Sequence, residues 1–256
     1  MNTHDPKSRR NIKLVLEYDG SSYHGWQRQA GALSIQEVIE ERLGVMLGHR
    51  AGVYASGRTD AGVHAKGQVV NFYTGTSLTP DEILRGLNSL LPDDIVVLNA
   101  GEKDASFHAR FSAVSKVYEY HILNRPVPSA LLRNYAWHIR RPLAIAPMEQ
   151  CLEMIHGRND FSAFMASGSN ASSAERDMLR AVLDRPWPDR LKFTLEANGF
   201  LRRMVRNLIG TIVEVGKGKR TVDDFERIIK SKDRKLAGMT APGRGLYLVS
   251  VNYPDS

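Results

Sequence analysis

Residues 57–65 read Gly-Arg-Thr-Asp-Ala-Gly-Val-His-Ala, a polar stretch framed by two glycines. Glycine permits a positive φ and a close approach of the backbone to a ligand. Apolar segments at residues 53–55 and 68–73 lie on either side, so the stretch is predicted to be a loop between two strands. Asp60 at its turn has two interpretations: an Asx-type turn that caps its own backbone, or a functional carboxylate beside Arg58 and Thr59.

The strands around this loop belong to a β-α-β-β-α-β pattern in the first hundred residues. Helices are predicted to begin after Ser34, with Glu37 completing a capping box, and after Thr79, with Pro80 at the first helical position. Strands are predicted at residues 11–18, 53–57, 68–74 and 95–98. This is the ferredoxin-like order, an antiparallel sheet with two helices on one face. The opposite face is expected to be free, as in RNA-recognition modules.

The second half of the chain reads roughly β-β-α-β-β-α-α-β and resembles a decorated second copy of the same topology, although no sequence repeat accompanies it. Its strands are predicted at residues 114–123, 135–139, 176–183, 190–197 and 246–251, and its helices at 147–156, 201–215 and 221–230. A Ser/Gly/Ala-rich loop at 160–174 is the best candidate for a mobile segment. We therefore predict an α+β fold of two ferredoxin-like (RRM-like) halves, residues 11–105 and 106–256, after a disordered basic tail, residues 1–10.

Composition favours a nucleic-acid partner in a reducing compartment. The 256 residues contain 35 Lys plus Arg against 28 Asp plus Glu, a net charge of +7. No apolar run of about 18 residues exists and the first ten residues lack an apolar signal core, so neither a membrane span nor a signal peptide is expected. The single cysteine, Cys151, excludes an intrachain disulfide, fits the cytoplasm, and shares a helical apolar face that predicts a core position.

Two segments combine aromatic, amide and basic side chains. Residues 23–29, Tyr-His-Gly-Trp-Gln-Arg-Gln, include Gln27 and Arg28. Exposed aromatics beside arginine suit base stacking, whereas a loop pinned by a buried Trp26 is an equal alternative. Residues 107–111, Phe-His-Ala-Arg-Phe, carry His108 and Arg110 and form either a strand edge or an RNA contact.

The predicted helix 201–215 carries three arginines beside its apolar stripe. Arg202 and Arg206 are four residues apart and are expected on one flank, whereas Arg203 points nearly away from the core. A solvated face explains Arg202 and Arg203 well. Arg206 borders the stripe more tightly and needs a partner, for which a buried carboxylate is the natural choice. Tyr118, on the first strand of the second half, is by default a core aromatic.

Over nearly its whole length the chain resembles the TruA family of tRNA pseudouridine synthases. The loop at 57–65 resembles that family's signature loop, which is highly specific. Val117, before Tyr118, departs from the pattern, since a basic residue is common there, and this puts one RNA contact in doubt. The other matching motifs are Tyr18-Asp19-Gly20, Gly25-Trp26-Gln27-Arg28-Gln29, residues 107–112, Tyr118-Glu119-Tyr120, Asp160-Phe161, Met204-Val205-Arg206-Asn207 and Gly245-Leu246-Tyr247-Leu248.

The resemblance implies a role for each matching residue. Asp60 would be the nucleophile, Tyr118 the aromatic that stacks on the target base, and Arg206 the basic partner of Asp60. It further implies two ferredoxin-like halves whose sheets join around a central basic cleft, a homodimer, and a tRNA substrate modified at positions 38, 39 and 40 of the anticodon stem-loop. Candidate tRNA contacts are Arg58, Tyr118, Arg28, Gln27, His108, Arg110 and Arg202. The isomerisation transfers no electrons and no group, so no cofactor or metal is expected.

Two other classes of protein compete with this interpretation. A non-catalytic RNA-binding protein with two RRM-like halves explains charge, aromatics and topology, but it gives no reason for the framed loop and lacks the aromatic consensus of that module. A metal-dependent hydrolase using Asp60 and His64 has too few ligands, and no His-x-x-x-His or Cys cluster supports it.

Overall fold

The computed structural model describes residues 10–168 and 172–254. Most of the predicted basic tail therefore lies outside the described residues, but Arg10 does not belong to a tail, because it is the first residue of a strand. The described residues form a mixed α+β fold of ten strands and five α-helices. None of these helices combines the length and apolar character needed to cross a membrane.

The elements follow the chain in an order close to the predicted one. They are β1 (Arg10–Tyr18), α1 (Ile35–Leu47), β2 (Tyr54–Ala55), β3 (His64–Thr74), α2 (Pro80–Leu90), β4 (Ile95–Lys103), β5 (Ser115–Asn124), β6 (Trp137–Ile139), α3 (Ile145–Met154), β7 (Gly157–Asp160), β8 (Glu175–Trp187), β9 (Arg190–Ala197), α4 (Met204–Gly216), α5 (Val222–Ser231) and β10 (Leu246–Asn252).

The chain divides into two compact units. Unit 1 contains the described residues of Met1–Ala113 and Leu248–Ser256, and unit 2 is Val114–Tyr247. Residues 106–113, assigned to the second half from the sequence, thus pack with the first unit. The final strand also returns to unit 1, where its Val249 carbonyl lies so close to Gly67 that a Cβ there would approach it to 2.5 Å.

Unit 1 has the predicted β-α-β-β-α-β order, with β1 between β4 and β3 in antiparallel pairing. One face of β1 is fully buried: Ile12, Leu14, Leu16 and Tyr18. Strand β2 is only two residues long, and β3 begins at His64, four residues earlier than predicted. The signature loop is therefore shorter than the sequence pattern indicated and ends at the start of β3.

The expectation of a free second face in unit 1 is wrong for the end of the sheet that carries Asn11 and Asn71. Asn11 Nδ2 donates to the carbonyls of Asp104 and Phe107, at 2.9 and 2.8 Å, and Asn71 Oδ1 accepts from the Ala109 N–H at 2.9 Å. Both asparagines are buried. These amides supply hydrogen bonds to a segment that has no strand partner, so the segment covers this end of the face. Farther along the same face of β1, Val15 is half-buried and Glu17 is exposed.

Unit 2 places β9 between β5 and β8, with β7 on β8 and β6 parallel to β5. The predicted hairpin of β8 and β9 is confirmed, although β8 continues through Trp187. Strand β7 was not predicted, because Gly157–Asp160 carries no period-two apolar pattern. It takes up Asp160 from the predicted loop at 160–174, and residues 169–171 of that loop lie outside the described residues. Helix α4 is buried along nearly its whole length.

Candidate active site

The signature loop joins β2 to β3 and turns sharply at Asp60. The Val63 N–H donates to the Asp60 carbonyl at 3.1 Å, which closes a four-residue turn. Gly62, the third residue of that turn, has a φ of 71°. A positive φ at this position is the signature of a type II turn and favours glycine. The second framing glycine is therefore required by the backbone, and Asp60 occupies the first position of the turn.

The loop is clamped by the backbone of residues 23–26. The Trp26 N–H donates to the Thr59 carbonyl at 2.9 Å, and the Gly62 N–H donates to the Tyr23 carbonyl at 3.4 Å. Gly25 has a φ of 94°, and a Cβ at this position would lie 2.6 Å from the Thr59 oxygen and 3.0 Å from the Asp60 carbonyl carbon. Only glycine permits this approach, so Gly25 fixes the position of the backbone that carries Asp60.

Buried side chains also form hydrogen bonds with the loop. The Tyr18 hydroxyl and Thr59 Oγ1 are 2.8 Å apart, and burial raises the pKa of the Tyr18 phenol to about 12. Gln68 accepts from the Ser56 hydroxyl at 2.7 Å and donates from Nε2 to the Gly57 carbonyl at 2.9 Å. The residues on either side of Arg58 are thus fixed by neutral hydrogen bonds in a dry environment, where such bonds are strong.

His64 is buried beside this loop and is held by contacts with neighbouring residues. Its side chain is almost completely buried, and Nδ1 lies 3.1 Å from the Gly20 nitrogen and 3.0 Å from Oδ1 of Asp19. Within the described part of the chain, no three His, Cys, Asp or Glu side chains converge as metal ligands do. The contacts of His64 explain its presence in the motif without a metal.

The residues before α1 differ in how accessible they are. Tyr23 and Trp26 are buried, so the expectation of exposed aromatics is wrong here, and the alternative of a loop pinned by Trp26 is confirmed. Arg28 lies 3.3 Å from Glu37 and 3.7 Å from Glu40, and Gln27 donates to Gln36 at 2.9 Å. Both side chains are exposed, but carboxylates partly neutralise Arg28.

Arg58 and Arg110 are exposed cations of unit 1. The guanidinium carbon of Arg110 is 5.4 Å from the ring centre of Phe111, which is 75% exposed. The His108 ring lies between Phe111, at 4.5 Å, and Tyr54, at 5.2 Å. Residues 107 and 108 have no regular structure and residues 109–111 form a turn, so the strand-edge alternative is wrong. The turn presents rings and a cation together, as base-stacking surfaces do.

Tyr118 lies on β5 in unit 2 and is 8% exposed. Its ring packs edge-on against Phe200, with 5.0 Å between centroids and an interplanar angle of 81°. Phe200 was not identified from the sequence, because it precedes α4 outside any periodic pattern. Its contact gives the Tyr118 ring a defined orientation.

The arginines near α4 differ from the predicted arrangement. The helix begins at Met204, and Arg203 precedes it as the N-cap residue with a φ of 60°. Arg202 therefore lies outside the helix and shares no flank with Arg206; its guanidinium donates to the Ser167 carbonyl at 3.0 Å. Leu201 is buried although it precedes the helix. Because its apolar side chain fits the helical pattern, the helix was predicted to begin too early.

Arg206 is fixed by two contacts with the segment after α5. Its Nε donates to the Ala241 carbonyl at 2.7 Å, and the Ala241 N–H donates to the Arg206 carbonyl at 3.0 Å. The Arg206 side chain is partly buried. Burial raises the pKa of the Tyr120 phenol, and the charges of Arg206 and Arg244 offset part of that rise. The Tyr120 hydroxyl donates to the Pro242 carbonyl at 2.8 Å, so Arg206 and Tyr120 bind adjacent residues of one segment.

Comparison with known proteins identifies the class. The model of a family described as tRNA pseudouridine synthase matches residues 14–112 and 152–254. A tRNA pseudouridine synthase A of Thermoanaerobacter sp. (strain X514) is 46% identical over 244 residues, covering 95% of this chain and 100% of that protein. Proteins with the same name from Acetivibrio thermocellus and Geobacter sp. (strain M21) are 44% and 42% identical over 245 and 247 residues, covering 95% and 96% of this chain and 100% of each relative.

These matches define an isomerase that acts on tRNA. The chain belongs to the tRNA pseudouridine synthase family.

Proposed function

We propose that this chain converts uridine to pseudouridine at positions 38, 39 and 40 of the tRNA anticodon stem-loop. The observation that carries the proposal is the clamped signature loop, in which Gly25, Thr59 and the turn at Gly62 fix the backbone on both sides of Asp60. A catalytic group needs this kind of preorganised support. The relatives named tRNA pseudouridine synthase A support the substrate class.

The reaction is an isomerisation that balances without a second substrate. The N1–C1′ bond of uridine breaks, the base turns, and a C5–C1′ bond forms. The proton on C5 leaves and N1 gains a proton, so the composition and oxidation state are unchanged.

Asp60 is the proposed nucleophile. A carboxylate forms covalent intermediates in other enzymes that act at sugar carbons. Two routes use the same oxygen: attack on C1′ with displacement of the base, or removal of the 2′ proton to form a glycal. In both routes the carboxylate must be ionised and held in one place, and the clamped backbone provides the second condition.

Tyr118 is the proposed stacking partner of the target uridine. Extruding a base costs a few kcal/mol, and stacking on an aromatic ring is worth about 1–3 kcal/mol per base. The edge contact with Phe200 supports this role, because a ring already held in one orientation loses little freedom when it binds a base.

Arg206 is the proposed counter-charge of Asp60. A nearby guanidinium favours the ionised carboxylate and orients it. The hydrogen bond from Nε to Ala241 uses one of the five guanidinium donors and fixes the plane of the group. Arg58, Arg28, Gln27, His108, Arg110 and Arg202 are proposed to contact the tRNA.

The proposal also includes the two ferredoxin-like halves around a basic cleft, the homodimeric state and the cytoplasmic location that the resemblance implies. A non-catalytic RNA-binding protein is the competing function. The test uses unmodified tRNA carrying tritium at uridine C5, without added metal. Release of tritium from intact tRNA, with pseudouridine at the three positions, is the expected result. Binding without tritium release would refute the enzymatic proposal.

A further inference from the structure

A basic and aromatic surface lies at the hairpin end of unit 2. The end of β8, the start of β9 and the segment after β5 meet there. We call it the arginine patch and define it by Arg125, Arg140, Arg185, Trp187 and Arg190. A cavity of about 240 Å³ opens within it. Arg125, Arg140 and Arg185 line this cavity, and Leu143, Ile145 and Leu191 give it apolar walls.

The patch is built on a fixed frame. Asn124 donates from Nδ2 to the carbonyls of Ile139 and Arg141, at 2.9 and 2.8 Å, and accepts from the Leu143 N–H at 3.1 Å. This single side chain ties residues 139–143 to the end of β5 and so fixes the backbone at Arg140. The cavity wall is therefore preorganised.

Arg125 belongs to this frame and is not available to a ligand in full. It lies 3.0 Å from Asp189 and donates to the carbonyls of Val127 and Pro128, at 2.8 and 3.3 Å. Arg140 and Arg185 are different, because both are exposed and neither pairs with a carboxylate among the described residues. Arg185 makes one long contact, 3.5 Å to the Pro188 carbonyl. Two unneutralised guanidinium groups thus line one cavity.

Trp187 adds an aromatic face to these cations. It is 57% exposed, and the guanidinium carbon of Arg190 lies 4.7 Å from its ring centre. The exposed tryptophan ring, packed against the arginine, leaves apolar surface in contact with water. A base that stacks on this ring would bury that surface. The nearby carboxylates, Asp184 and Asp189, are engaged by Lys192 and Arg125. The net character of the patch is therefore cationic.

We propose that the arginine patch is a second contact site for the tRNA substrate, which binds one nucleotide through its phosphate and base. This inference rests on the proposed function, since it assumes that the target uridine stacks on Tyr118. Arg140 and Arg185 would hold the phosphate, and the apolar wall and Trp187 would hold the base. Such pairing of guanidinium groups with aromatic faces is the usual chemistry of RNA backbone and base recognition.

The geometry of β5 separates this site from the reaction centre. Tyr118 and Asn124 lie on the same strand, and six residues at about 3.3 Å each place them about 20 Å apart. The patch is too far away to touch the target uridine and must contact another part of the tRNA. It should therefore affect affinity and KM and leave kcat at saturating tRNA unchanged.

The experiment compares tRNA binding by the wild type and by the double variant Arg140→Gln/Arg185→Gln across a range of salt concentrations. We expect Kd to rise about tenfold and the slope of log K against log salt to fall by about 1 for each arginine removed. Trp187→Ala should weaken binding about tenfold without changing the slope. The matched control is Arg42→Gln/Arg85→Gln, which removes two exposed arginines from α1 and α2 and should change Kd by less than about twofold.

Each result decides one question. If the double variant keeps the wild-type affinity and salt slope, the proposal that the patch binds tRNA is overturned. An equal loss of affinity in the control pair would also overturn it. A change in oligomeric mass with unchanged affinity would assign the patch to a subunit contact and also overturn it. Failure of the proposed function is distinguishable, because the wild type itself would then form no pseudouridine in tRNA.

Discussion

Replacing Gly25 by alanine should move the signature loop without removing any polar side chain. The new Cβ would lie 2.6 Å from the Thr59 carbonyl oxygen, and ordinary contacts begin near 3.4 Å, so the loop would have to retreat by about 0.8 Å. A positive φ costs a non-glycine residue about 1–2 kcal/mol. Overpacking against backbone adds about 1–3 kcal/mol. The free energy of unfolding should therefore fall by about 2–5 kcal/mol.

Activity should fall further than stability suggests. A displacement approaching 1 Å at a reacting group can cost about a hundredfold in rate. We expect Gly25→Ala to melt about 5–15 °C below the wild type, because about 2–4 °C are lost per kcal/mol in a chain of this size. Single-turnover pseudouridine formation, measured well below the melting temperature, should be about a hundredfold slower.

Gly31→Ala is the matched control. Gly31 also has a positive φ, 75°, but a Cβ there meets no heavy atom within 4 Å. It should therefore lose only the backbone contribution of about 1–2 kcal/mol and keep a rate within about twofold of the wild type. If the two variants lose stability and rate equally, the close approach of Gly25 to Thr59 does not position Asp60 and the reasoning fails.

Three further predictions concern Tyr118, Arg206 and Cys151. Tyr118→Phe should bind tRNA nearly normally, whereas Tyr118→Ala should lose pseudouridine formation. Near-wild-type turnover by the alanine variant would show that the ring serves only to pack the core. Arg206→Ala should slow turnover at least tenfold, since a charge-assisted hydrogen bond contributes about 1.5–3 kcal/mol, whereas Arg203→Ala should not; equal losses would make this region a binding surface only. Burial raises the pKa of the Cys151 thiol to about 12, so a thiol reagent at pH 8 should label it only in denaturant, and rapid labelling of the folded protein would contradict the core assignment.

Local hydrogen bonds explain which parts of the fold could be predicted from the sequence. Thr79 with Glu82 forms a complete capping box, and Thr221 with Asp224 forms another. Each pair lies within four residues, so the sequence itself specifies where α2 and α5 begin. The alternation of Ile12, Leu14 and Leu16 specified the buried face of β1 in the same way.

Features that depend on distant parts of the chain could not be predicted. The cover over one end of the second face of unit 1 depends on Asn11 and Asn71 binding a segment far along the chain. The start of α4 depends on Arg203 adopting a φ of 60°, which no residue pattern encodes. The same limit applied to the site, because the motif identified Asp60 but not the contact by which Gly25 holds its backbone.

The central claim is that Asp60 acts as a nucleophile, and Asp60→Asn tests it most directly. The turn at Asp60 is closed by its carbonyl oxygen, which the substitution leaves unchanged. Asparagine also makes the same Asx turn, so a purely structural role would survive. We predict that the variant melts within a few degrees of the wild type, binds tRNA at least as tightly, and forms no detectable pseudouridine. Asp93→Asn, an exposed site between α2 and β4, should keep the wild-type rate. Pseudouridine formed by mass-verified Asp60→Asn at a tenth of the wild-type rate or faster would contradict the account.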